Sequence, residues 1–229
     1  MKKLISMGII FILLTPNLFA EVGFKGRPIT NNLMMPTGYT LNRGEFIVGI
    51  GPVGFGITDN VQVGTNILLF LFQVYNVNLK VNFVKTESQA FAVGLDLNNF
   101  NLDVFEEETG FTSVSPYASF STRVGTNTLL HLGGSYSVFT SDKDIEDAKV
   151  ESSSSGTSLY TGLEYSFSHK TKFLAEGGYD ITFEGFRVGG GVLFGWTKFR
   201  LKLGVNYFKP KDVSGFTFPV IGLWWRFEG

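Results

Sequence analysis

Apolar and polar residues alternate along most of the chain. In residues 75–83, Tyr75, Val77, Leu79, Val81 and Phe83 are separated by Asn76, Asn78, Lys80 and Asn82. Nine residues of strict period two read as a strand with one oily and one wet face. The same alternation recurs in 91–98, 130–138, 159–167 and 199–207. No window carries a convincing amphipathic-helix period. The pattern predicts twelve strands, at about 33–41, 46–57, 61–71, 75–85, 89–98, 113–124, 128–139, 157–167, 171–181, 186–196, 199–208 and 216–227. In the second, the alternation slips at Gly51-Pro52, which reads as a bulge.

A soluble sandwich also alternates, so length and connector parity decide the class. Eleven residues tilted near 40° cover roughly 28 Å, enough to cross a bilayer. The connectors 58–60, 86–88, 125–127, 168–170 and 197–198 are short and fall on one side. The longer 99–112, 140–156, 182–185 and 209–215 fall on the other. Aromatics flank the short turns, as in Phe83/Phe91, Phe167/Phe173 and Trp196/Phe199, like a girdle at a membrane interface. The fold expected is all-β: a transmembrane antiparallel up-and-down barrel of about twelve strands, ten or fourteen being the neighbouring counts.

The N-terminus reads differently. Lys2 and Lys3 precede an apolar run over 4–14, Thr15-Pro16-Asn17 break it, and Ala20 offers a cleavage site. This is the layout of a secretory signal peptide over 1–20. Residues 21–32 would be a periplasmic or lumenal segment, too short for a plug domain but free to enter the lumen, and 33–229 the barrel.

Composition narrows the function. There are 28 glycines, 24 phenylalanines and no cysteine, with 17% charged residues and a net charge of −1. Without a basic excess, nucleic acid is not an expected partner. Without cysteine there is no disulfide scaffold, thiolate metal site or cysteine nucleophile. With two histidines no histidine-rich metal site exists, and no cofactor is expected.

The C-terminal Gly222-Leu223-Trp224-Trp225-Arg226-Phe227 is similar to the assembly signal of bacterial outer-membrane β-barrel proteins, a glycine followed by alternating aromatics. Ile221 stands where a polar residue is common, and Glu228-Gly229 follow the last aromatic. The stretch 39–45 with 56–64 also looks like a pattern in uncharacterised small barrels. The resemblance implies the outer membrane of a Gram-negative cell, contact with its lipid, and recognition by barrel assembly machinery through Gly222, Trp225 and Phe227.

Parity places Lys80, Asp96, Arg123, His131, Glu164, Glu176, Asp180, Arg187, Arg200 and Lys202 on the inner wall. Pairing Phe167 with Phe173 sets Glu164 opposite Glu176. Pairing Ile181 with Phe186 sets Asp180 opposite Arg187. Pairing Trp196 with Phe199 sets Arg200 beside Gly195 and Lys202 beside Leu193. Such a mixed-charge lumen suits porin-like, passive transport of small polar solutes. The alternative is a closed structural barrel whose charges pair inside, or one acting through its acidic external loops. Loop 99–112 carries Asp103 and 106–108, and loop 140–156 carries Asp142, Asp144, Glu146, Asp147 and Glu151, but neither spacing matches a calcium loop. An enzyme is not expected. The distant exception is a lipid hydrolase using His131 with serines 119, 121, 135 or 137.

Overall fold

The computed structural model describes residue 24 and residues 26–104, 107–145, 148–182, 184–211 and 214–228, with the backbone alone for 101–109 and 142–152. The expected signal peptide, 1–20, and the acidic side chains of the two longest expected connectors lie outside the described residues.

Twelve antiparallel strands close into an up-and-down barrel in which each strand pairs with its sequence neighbours and the last pairs with the first. They are β1 (Phe46–Ile50), β2 (Pro52–Gly56), β3 (Val61–Asn66), β4 (Val74–Lys85), β5 (Gln89–Val104), β6 (Glu107–Arg123), β7 (Thr128–Ile145), β8 (Ala148–Ser166), β9 (Thr171–Asp180), β10 (Gly185–Gly195), β11 (Phe199–Lys209) and β12 (Phe216–Phe227). A single helical turn, α1 (Ile67–Phe70), follows β3. Closure runs Phe46↔Phe227 to Ile50↔Leu223.

The expected number of strands is present, but the first two are made from different residues. Residues 46–57 are not one bulged strand. They fold back as the hairpin β1–β2, with Phe46 opposite Phe55 and Val48 opposite Val53. The reversal sits at Gly51, whose φ of +113° is open to glycine and strained for other residues. Residues 33–41 form no strand of the wall. Leu33, Met35, Thr37, Tyr39 and Leu41 do alternate, yet Gly38 and Thr40 between them are buried too. Pro36 lacks a ladder N–H, and the segment lies inside the barrel. The strand expected at 61–71 stops at Asn66, whose side chain accepts from Leu68 N–H and caps α1.

The connectors expected at 99–112 and 140–156 are instead continuations of the sheet. Pairing runs up to Val104↔Glu107 and Ile145↔Ala148. Strands β5 to β8 therefore have 16, 17, 18 and 19 residues. That exceeds the 9–11 or so that a bilayer needs, so these hairpins rise well past the rest of the rim.

Polarity is inverted relative to a water-soluble core. Lys80, Lys172, Glu164 and His131 are among the most buried side chains, while Phe83 and Phe167 are each 65% exposed. Polar atoms inside and an apolar belt outside are what a barrel in hydrocarbon requires. The closed fold is compatible with an outer-membrane location.

Candidate functional site: the lumen and the segment it grips

The segment leading into β1 enters the barrel, turns back within it, and leaves at the short-turn end. At its apex, Asn31 bridges to Pro36, Asn32 N–H donates to Met35 O at 2.8 Å, and Thr37 N–H donates to Thr30 O at 3.0 Å. We refer to residues 24–44 as the strap.

The wall holds the strap by its backbone. On β11, Lys202 Nζ donates to the carbonyls of Asn31, Asn32 and Leu33. On β9, Glu176 Oε2 accepts from Met34 N–H (2.9 Å) and Met35 N–H (3.2 Å). Its other oxygen accepts from Asn206 Nδ2 at 2.6 Å. Lys172 Nζ donates to Arg27 O at 2.5 Å and pairs with Glu164 Oε1 at 2.6 Å. Glu164 Oε2 in turn accepts from Ile29 N–H at 3.2 Å. Across the lumen, Lys80 Nζ reaches Thr30 O (2.6 Å) and Tyr39 O (3.3 Å), and Asn82 donates to Gly38 O. Buried charge is costly unless it is paired or hydrogen-bonded. Here the strap's amides supply much of that partnership.

Small wall residues make room for strap side chains. A Cβ at Gly195 would meet the Phe24 ring at 2.4 Å, one at Gly162 would meet Asn32 at 2.4 Å, and one at Gly191 would meet Leu33 at 2.7 Å. Ile29 and Leu33 pack with Leu174 and Leu193, with Phe24, Val220 and Trp224 at the edge. At the mouth, Glu45 is reached by Arg27 of the strap (2.7 Å) and by Arg226 of β12, and Arg27 also pairs with Glu228 at 2.5 Å.

The residues expected on the inner wall divide by task. Lys80, Glu164, Glu176 and Lys202 hold the strap. Arg200 donates to the carbonyls of Trp196 and Phe199 and lies 4.8 Å from the Phe24 ring centroid. Asp96 accepts from Asn78 at 2.6 Å, away from the strap. Arg123 donates to Glu87 O and Thr126 O, tying two short turns at the rim. Asp180 accepts from Ser158 Oγ at 2.6 Å, and Arg187 stands 3.9 Å from Glu176. Gly222 lies inside against Trp224, whereas Phe227 stacks on Phe46 across the closing seam at 6.4 Å and Trp225 lies tilted against Phe199 at 5.3 Å.

Two expected registers are corrected. Glu164 lies opposite Leu174, and Glu176 opposite Gly162, because Phe173 pairs with Tyr165 rather than Phe167. Asp180 lies opposite Gly185, and Arg187 opposite Gly178, because the β9–β10 pairing begins at Asp180↔Gly185 rather than Ile181↔Phe186, a turn of equal length moved one residue back. The β10–β11 register is as expected, with Gly195↔Arg200 and Leu193↔Lys202. Lys172 was missed as a wall residue, although it shares the parity of Glu176 four positions on.

His131 does meet one of its candidate serines. Ser121 Oγ is 2.7 Å from His131 Nδ1, and His131 Nε2 is 3.7 Å from Glu164 Oε2. All three side chains are fully buried, and Ser121 Oγ accepts from Gly38 N–H at 2.8 Å. In this arrangement the strap occupies the hydroxyl that a substrate would need. Among the described residues no cluster suits a metal ion. No family model matches the chain, and no curated protein matches it.

Proposed function

We propose that the protein is an outer-membrane β-barrel closed to through-passage by its own strap, open only as a vestibule on the side of the long hairpins. The observation that carries this reading is the grip of Lys80, Lys172, Lys202, Glu164 and Glu176 on the strap backbone. These are the charges that a porin-like lumen would turn to water. Passage of small polar solutes is the second reading, and it requires the strap to leave. It is favoured by the polar character of the grip, since hydrogen bonds to backbone exchange with water at a small net cost, about 1 kcal/mol each.

Planar-bilayer recording tests both. The intact chain should insert without discrete conductance steps, its β-structure verified by circular dichroism. A variant lacking 24–41, or the milder Lys202→Met/Glu176→Gln, should show steps. Steady conductance from the intact chain would overturn the closed reading. No conductance from either folded variant would remove the solute-passage reading.

A further inference from the structure

The barrel wall is uneven. β1, β2 and β3 have five, five and six residues, and lie between β12 and β4 with twelve each. β1 covers only Leu223–Phe227 of β12, so residues 216–222 have no ladder partner on that side among the described residues. Pro219, which has no N–H to offer, sits in this stretch. On the other flank the β3 ladder ends at Asn78 of β4, and the Asn76 side chain finishes it against Thr65 and Asn66. α1 leans towards β4, with Phe70 and Tyr75 5.5 Å apart. The result is a notch beside β12, bounded by the β1–β2 turn below and by α1 on the far side, and roughly 20 Å long along β12.

Its rim is apolar. Ile50, Leu71 and Ile221 are 58%, 78% and 57% exposed. No charged residue occurs in 61–79 or in 214–225. An edge facing water is normally blunted by charge, and an edge facing lipid leaves backbone groups unsatisfied. An apolar rim around a free edge suits neither solvent alone, but it suits a molecule with one apolar and one polar end.

Behind β12, as also at Phe100, Phe111 and Phe139 on β5, β6 and β7, the upper lumen is aromatic. Here Phe208, Phe216 and Phe218 face inwards, with Phe208 and Phe216 5.8 Å apart and Phe216 and Phe218 5.9 Å apart. They line a cavity of about 760 Å³, within the size range of small-molecule sites. Arg187 also lines it. Its Nε is buried without a hydrogen-bond partner, and its nearest carboxylate, Glu176, is 3.9 Å away. Asp180 in the same lining is engaged by Ser158.

We propose that notch and cavity form one binding site for a single-chain amphiphile with an anionic head, such as a long-chain carboxylate, which enters from the bilayer. The chain lies along Phe208, Phe216 and Phe218 and trails through the notch, while the head meets Arg187. The proposal rests on the membrane-barrel reading and does not require the strap to move.

The test uses the full chain in phosphatidylcholine vesicles with a fluorescent undecanoic acid as probe. Saturable binding is expected, weakened at least tenfold by Phe216→Ser/Phe218→Ser. Arg187→Gln should weaken the acid and spare the corresponding alcohol. Entry from the bilayer is read separately with a bimane on Phe218→Cys, quenched by phospholipids carrying a chain nitroxide. Quenching should be several-fold greater than for bimane on Ser137→Cys, across the lumen. Quenching of the outward Trp196 by the same lipid reports membrane embedding. If Trp196 is not quenched, the membrane reading fails. If Trp196 is quenched but residue 218 is not, the lateral route is overturned, and a dimeric particle would then assign the free edge to a second copy. Binding indifferent to residues 187, 216 and 218 would overturn the site.

Discussion

Lys172 and Glu164 meet at 2.6 Å from adjacent strands, and each also holds the strap, Lys172 through the carbonyl of Arg27 and Glu164 through the amide of Ile29. The pair is fully buried. It therefore links wall and strap in a single four-membered contact. Removing Glu164 takes away the carboxylate that Lys172 pairs with in the interior.

Glu164→Gln should cost about 3–5 kcal/mol, the penalty for stranding a buried charge. Glu164→Gln/Lys172→Met should cost less than the sum of the two single changes. Urea unfolding from vesicles measures the cycle, and strict additivity would show that the two side chains do not act together.

The absence of cysteine makes the strap open to chemical mapping. Met34 is 49% exposed at the apex, while Met35 beside it is 1% exposed. In intact vesicles, Met34→Cys should react with a water-soluble maleimide, and Met35→Cys should react at least tenfold more slowly. Equal rates would mean that the strap is not seated.

Gly94 lies under the Tyr117 ring, and an added Cβ would fall 2.2 Å from it. Gly94→Ala should destabilise the barrel by about 1–3 kcal/mol, the usual cost of overpacking. Gly190→Ala, where the nearest atom is 3.9 Å away, should change stability by no more than about 0.5 kcal/mol. Parallel unfolding curves decide it.

Phe227 stacks on Phe46, and Lys198 lies 5.7 Å from the Phe227 ring centroid. Phe227→Ala should reduce the yield of folded, heat-modifiable barrel on insertion into vesicles. Leu203→Ala, on the outer face of β11 and away from the seam, should leave that yield close to normal.

The barrel class was legible because period two and connector parity are local properties that survive in one dimension. So was the inward parity of Lys80, His131, Glu164, Glu176 and Lys202. The strap was not legible as such. Its alternation at Leu33, Met35 and Tyr39 mimics a strand, and only three-dimensional enclosure reveals that the intervening Gly38 and Thr40 are buried too. The β1–β2 hairpin was hidden for a related reason, since a turn of Gly51-Pro52 and a bulge share their residues. Register across β8–β9 failed because aromatic matching at the turn admitted two alignments, and Phe173 chose Tyr165.

Glu45 gathers Arg27 from the strap and Arg226 from the final strand onto one carboxylate. The two cations come from opposite ends of the chain. The carboxylate's full set of partners can thus form only once β12 has met β1. The order of assembly follows: seam and strap lock together in one step, when β12 closes on β1.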